Sequence, residues 1–123
     1  MKYPIIVSEN GSLILFKTVQ DAENYLEPID IINQEYEIFD SDGKILRQRV
    51  AKRTIKYSFW RRTVNVDGIY IDDGDESNPE RLKKLLQKFL KRSRKFDAAN
   101  INIDDLDLAD LIETTLRYTG YTK

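Results

Sequence analysis

The chain contains no histidine and no cysteine. Histidine is the side chain whose ordinary pKa lies nearest neutrality, the commonest metal ligand and the middle member of a serine triad; cysteine supplies the thiolate nucleophile. Without them, catalysis would have to rest on carboxylates, Lys, Tyr or Ser. Disulfide frameworks and thiolate metal sites are excluded, and a reducing compartment is permitted. Glycine is sparse, five residues in 123, and so scattered that neither G-x-G-x-x-G nor a G-K-S/T phosphate loop occurs. No apolar run approaches the roughly twenty residues a membrane-spanning helix needs. The amino terminus "MKYPIIVSENGSLILFK" breaks its apolar runs at Asn10-Gly11-Ser12, which does not make a signal-peptide core. A cytoplasmic protein is expected.

What the chain does have is charge, 33% of residues against 41% hydrophobic, with a net value of only -1. That usage and length fit one globular domain, residues 1–123, with a real core. The near-neutral sum hides segregation along the chain. Residues 1–43 carry nine acidic and two basic side chains, 44–66 eight basic and none acidic, 67–80 six acidic and none basic. Residues 81–96 then carry eight basic and no acidic groups, and 97–113 six acidic and no basic ones. Each block is interleaved with apolar residues at regular spacing, so the blocks are expected to be solvated faces of packed elements, with opposite blocks side by side.

"PIIVS" and "LILFK" around "ENGS" predict a hairpin over residues 4–17, because both residues of an Asn-Gly turn tolerate positive φ. Thr18 is placed to cap a helix that turns Val19, Ala22, Tyr25 and Leu26 to one face, and Pro28 ends it near Glu27. Across "DSDG", a three-residue Ser41-Asp42-Gly43 loop with Gly43 left-handed pairs Ile38 with Leu46, Glu37 with Arg47 and Glu35 with Arg49. "TIKYSFWRRTVNVDGIYID" reads as one or two strands whose alternation changes phase between Phe59 and Val64, with a bulge or turn near Trp60-Arg61-Arg62. Ser77, Pro79 and Glu80 signal the start of a helix near eighteen residues long. Its apolar stripe is Leu82, Leu85, Leu86, Phe89, Leu90 and Phe96, with Lys84, Lys88, Lys91 and Lys95 on the far side. A last helix runs from Asp104 or Asp105 to Gly120, burying Leu108, Leu111, Ile112 and Leu116 and showing Asp107, Asp110 and Glu113 to solvent.

None of the carboxylate groupings rises to a catalytic or metal motif. Asp72-Asp73 and Asp104-Asp105 are what a highly charged surface supplies by chance. "DSDG" and "DDGDE" lack the glycine at the sixth position and the terminal bidentate Glu of a calcium loop, and read as turns. No metal or cofactor is expected. "KILRQRVAKRTIKYSFWRR" interleaves eight cations with Tyr57, Phe59 and Trp60, a combination that serves phosphate neutralisation and base stacking. A nucleic-acid-binding module using residues 44–62 therefore remains an alternative, less favoured because acidic blocks of similar size surround it.

"AENYLEPIDIINQEYEIFDSDGKIL" resembles the pattern E-A-E-x-Y-L-E-P-I-D-V-x-N-x-E-Y-x-x-Y-D-x-E-G-R-x-L, and "LKKLLQKFL" with "LDLADLIETTLRYTGYTK" resembles the two helices and Gly-Tyr end that accompany it. The pattern marks a family of small bacterial proteins encoded beside polymorphic and contact-dependent toxins. Gln34 stands in place of a glycine after Asn33, Asp42 and Lys44 replace Glu and Arg around Gly43, and residues 49–78 match nothing in it. The resemblance implies a non-catalytic immunity protein whose partner is a cognate protein toxin, often a nuclease. Asp72, Asp73, Asp75 and Glu76, or Asp107, Asp110 and Glu113, are then the candidate contacts, with Trp60 and Tyr70 as candidate anchors. The expected fold is α+β: a mostly antiparallel sheet of five or six strands, one short inserted helix, and two carboxy-terminal helices on one apolar face.

Overall fold

The computed structural model describes residues 1–57, 62–92 and 103–122, with side chains described for all of these except 29, 52–57 and 62–67. Ile5-Ile6-Val7 offers no polar alternate, and a strand without a polar face has to be covered on both sides. It forms β1 (Ile5–Glu9), the middle of a three-stranded antiparallel sheet between β2 (Ser12–Phe16) and β3 (Tyr36–Phe39). The pairs Ile5 with Phe16 and Val7 with both Ile14 and Ile38 occupy one face, and Ile6 with both Leu15 and Phe39 the other. The first face packs on Ala22 and Leu26 around α1 (Val19–Tyr25), on Ile31 of α2 (Pro28–Ile32), and on Leu46, Ile69 and Ile71 at the base of a long hairpin, β4 (Arg47–Tyr57) with β5 (Arg62–Asp72). The second packs on Leu82, Leu86 and Leu90 of α3 (Pro79–Arg92) and on Leu111 and Ile112 of α4 (Leu108–Thr119).

The α+β class, the antiparallel pairing and the two carboxy-terminal helices on one sheet face agree with expectation; the single sheet of five or six strands does not. Among the described residues there are five strands in two sheets, ordered β2-β1-β3 and β4-β5, and four α-helices. The chain around Gly43 does turn as the spacing predicts. Gly43 has φ +84°, Phe39 bridges to Ile45, and the Leu46 N–H donates to the Ile38 carbonyl at 2.9 Å. The ladder ends there. Lys44 already bridges to Ser77, and the Ile45 N–H donates to the Glu76 carbonyl. From Arg47 the strand pairs with β5 over its full length, Arg47 opposite Asp72 and Arg49 opposite Tyr70. Where the ladder to β3 would continue, the Gln48 side-chain amide donates to the Tyr36 carbonyl at 2.9 Å in place of a backbone bond, and β4 makes its eleven pairs with β5 alone. Ile55 faces Val64 in this register, so the change of phase in the sequence reflects a hairpin reversal; the turn itself lies outside the described residues.

The helix signals are right in kind and shifted in place. Thr18 Oγ1 accepts from the Asp21 N–H, as expected. Pro28 both ends α1 and opens a second short helix, because proline suits a first helical position, where no N–H is required. Asn78, not Ser77, caps α3, with its Oδ1 3.0 Å from the Arg81 N–H. Asp107 caps α4 in place of Asp104 or Asp105, which sit in a short 3-10 turn before it. The described part of α3 ends at Arg92, and Lys95 and Phe96 lie outside the described residues.

Asp40, only 2% exposed, organises the turn between β3 and β4. Its carboxylate accepts from the backbone N–H of Asp42 and Lys44, both at 3.0 Å, and of Lys2 at 3.2 Å. The "DSDG" loop is thus built around its first carboxylate, which faces inward. Gly43 beside it lies against Pro79, where an added Cβ would come 2.8 Å from the proline nitrogen. Replacing Asp40 by Ala leaves three backbone donors without their acceptor and is expected to lower stability by about 3 kcal/mol. Urea unfolding followed by circular dichroism reads this as a lower midpoint at unchanged slope. An unchanged midpoint would show that the carboxylate does not hold the turn.

Candidate functional site

The candidate carboxylates fall on two surface segments. Asp72 closes β5, and Asp73, Asp75 and Glu76 follow in the link to α3. All four are exposed. The basic strand opposite meets most of them: Arg49 Nε lies 3.3 Å from Asp72 Oδ2, Lys44 Nζ 3.7 Å from Asp73 and Arg47 4.0 Å from Asp75. The terminal amine of Met1 lies 3.5 Å from Asp73. Solvent-exposed pairs of this kind contribute roughly 0–1 kcal/mol each, so they can be exchanged for a partner's cations at small cost. Glu76 has no ion-pair partner among the described residues.

The second segment is the outer face of α4. Asp107 spends its carboxylate on the Asp110 N–H at 2.8 Å, and Glu113 meets Arg117 one turn later at 2.6 Å. The Asp110 side chain carries no ion pair among the described residues. Among the described residues no hydrogen bond or ion pair joins this segment to residues 72–76. Tyr70 is half-buried beneath the Arg49 guanidinium, which sits 5.0 Å from the ring centroid. It borders a hollow of about 280 Å3 shared with Gln20, Glu23 and Pro28. Trp60 lies outside the described residues. The cations of the alternative nucleic-acid surface whose side chains are described, Lys44, Arg47 and Arg49, are the ones paired with Asp72, Asp73 and Asp75.

Sequence reasoning missed a third grouping. Glu9 at the end of β1, Asp30 in α2 and Glu35 before β3 bring one carboxylate oxygen each within 4.8 Å of one another. β1 and β3 pair with Glu9 opposite Tyr36, which fixes two of the three. Tyr36 Oη donates to Asp30 Oδ2 at 2.9 Å, and the Glu35 N–H donates to the Asp30 carbonyl at 3.0 Å. The side-chain hydrogen bond to Asp30, then the negative charge of Asp30, push the Glu35 carboxyl above the usual carboxylate range. Burial, followed by the bond to Asp30, pushes the Tyr36 phenol up as well. These are the residues that could hold a hard cation, since their oxygens converge. Without such a cation the like charges of Asp30 and Glu9 disfavour the ionised Glu35 carboxyl.

Comparison of the chain with protein-family models, curated proteins and solved structures finds no match.

The site is therefore read from its own geometry. Asp30, Glu35 and Tyr36 all fall inside the "YLEPIDIINQEY" stretch, so that stretch closes on itself: α2 and the start of β3 are tied by its own side chains. Gln34 between them has φ +57°, the left-handed region in which glycine is unstrained. No helix among the described residues is long and apolar enough to cross a membrane.

Because the folded Glu35 carboxyl is raised, its protonated form is favoured in the fold. Its stabilising contribution is complete below the ordinary carboxylate value and is lost as pH rises through the raised one. Glu35→Gln keeps a hydrogen-bonding group beside Asp30 and removes one of three charges. The variant is expected to melt above the parent at about pH 7, with the gap closing near pH 4. Thermal melts across that range check it; superimposable pH profiles would contradict the repulsion between Glu35 and its neighbouring carboxylates.

Proposed function

We propose that this protein is a non-catalytic immunity-type inhibitor that binds a cognate bacterial toxin and covers its active or substrate-binding surface. The observation that carries the reading is the placement of the candidate carboxylates. Asp72, Asp73, Asp75, Glu76, Asp107, Asp110 and Glu113 are all exposed, while the interior leaves no buried side-chain polar atom unpartnered among the described residues. Reactive centres commonly concentrate unsatisfied or strained buried polar groups; here the charge is on the outside, where a partner can meet it.

The resemblance to toxin-associated immunity proteins supplies the class of partner. Its marker residues have structural work in this fold: Pro28 opens α2, Asp30 holds Tyr36, and Asp40 holds the following turn, while Gln34, which stands in place of a glycine after Asn33, takes a glycine-like conformation. A nuclease toxin presents cations to bind phosphate, and an acidic surface complements them. Long-range attraction of this sort speeds encounter and rejects wrong partners, leaving tighter contacts such as Tyr70 to set the lifetime of the complex.

The test is co-purification with the product of the neighbouring toxin gene, followed by stopped-flow association at low salt. A one-to-one complex is expected. Neutralising Asp72, Asp73 and Asp75 to Asn together should slow association about tenfold while the melting temperature stays near that of the parent. The companion set Asp107→Asn, Asp110→Asn and Glu113→Asn preserves a capping side chain on α4 and tests the other segment. Failure to form the complex, or an association rate indifferent to both sets, would contradict the proposal.

A further inference from the structure

A cleft of about 660 Å3 opens on the sheet side of α3, between the turn of the first hairpin and the approach to β3. That is within the roughly 300–1,000 Å3 typical of sites that enclose a small ligand or a short segment. Leu13, Leu85 and Phe89 supply apolar surface, and Ser8 lies among the lining residues. The two sides differ in charge. Glu35 and Glu37 line it from the strand, and Arg81, Lys84 and Lys88 from the helix.

Arg81 is committed within the fold. Its guanidinium makes two bonds to Glu37, at 3.2 and 2.7 Å, and Glu37 holds it more firmly charged. Lys84 and Lys88 are different: both are exposed, and neither has an ion-pair partner among the described residues. Arg92 extends the row by another turn. Its guanidinium passes Gly11, where an added Cβ would come within 3.0 Å of it. Lys84, Lys88 and Arg92 stand four residues apart, so each neighbouring pair repels and weakens the helix slightly. Elsewhere on the described surface Lys2, Lys44, Arg47, Arg49, Lys91 and Arg117 each meet a carboxylate. Lys84 and Lys88, beside an apolar-lined cleft, are thus left without a charge partner among the described residues.

We propose that this cleft is a docking site for a peptide segment of a partner protein, one that carries an acidic side chain to Lys84 and Lys88 and an apolar side chain onto Leu85 and Phe89. Charge complementarity selects the occupant. A carboxylate meeting the two lysines forms charge-assisted bonds and removes their mutual repulsion. A nucleic-acid strand brings a continuous row of phosphates, which Glu35 and Glu37, with Glu9 and Asp30 behind them, oppose. The site is separate from residues 72–76 and does not require the partner to be a toxin.

Nitrogen-15 correlation spectra of the full chain test this, with a capped octapeptide alternating Glu with Leu and Phe as the probe, titrated to millimolar concentration. Shifts are expected to concentrate at residues 8–13, 34–37 and 81–89. Lys84→Gln with Lys88→Gln should weaken the peptide at least tenfold while melting no lower than the parent, because the removed charges repel each other. Leu85→Asp should also abolish binding by charging the apolar surface. The proposal is overturned if no localised shifts arise, if the same peptide with Lys in place of Glu binds equally well, or if oligothymidylate shifts these residues at lower concentration.

Discussion

A strand with no face left for solvent governs this molecule. Ile5, Ile6 and Val7 are each 0% exposed, and burying such side chains is worth roughly 1.5–3 kcal/mol apiece before chain entropy is counted. Two separate layers are needed to cover them, and the order of elements supplies both. The segment between β2 and β3 folds into α1 and α2 on one side, with the base of the long hairpin; the segment after β5 folds into α3 and α4 on the other. Buried polar groups are few and locally satisfied, as with Thr115, whose hydroxyl donates to the Leu111 carbonyl at 2.7 Å.

That constraint also explains where the charge goes. With both faces of β1 covered, charged residues lie mostly in turns, on the outer faces of helices and along the long hairpin. The alternating blocks along the chain become neighbouring surface elements: the basic start of β4 lies against the acidic end of β5, and Lys91 of α3 reaches Asp104 at 2.6 Å. Among the described residues, Asp110 on the outer side of α4, Glu76 before α3 and the lysine row of α3 above its cleft are left without an ion pair. The function proposed here and the docking cleft both rest on surfaces the fold leaves available to a partner, with the chemistry of recognition outside and the hydrophobic work inside.

Local signals in the sequence translated well. Asn10 and Gly11 have φ +50° and +88°, as a tight hairpin turn between apolar runs requires. Thr18 caps α1, Gly43 is left-handed, and Asp107, Asp110 and Glu113 face solvent. Choices between near neighbours did not translate. Ser77 and Asn78 are both competent caps, but Ser77 is bridged to Lys44 and the first helical bond runs from the Leu82 N–H to the Asn78 carbonyl. Strand register pairs Glu37 with Arg47, yet Glu37 takes Arg81 because α3 packs on that face. The division into two sheets turns on the side chain of Gln48 taking the Tyr36 carbonyl where a ladder would continue, and the carboxylate cluster joins Glu9 to residues more than twenty positions away. Neither leaves a periodic trace in the chain.

Native-state hydrogen exchange of the backbone amides measures the dependence on the central strand. If β1 is the part on which both layers rest, the hydrogen-bonded amides of Ile5 to Ser8 exchange only through global unfolding, with a protection free energy equal to that from urea denaturation. Exchange of those amides through a lower-energy opening, while α3 and α4 stay protected, would show that the helices hold together without the strand and would contradict this account.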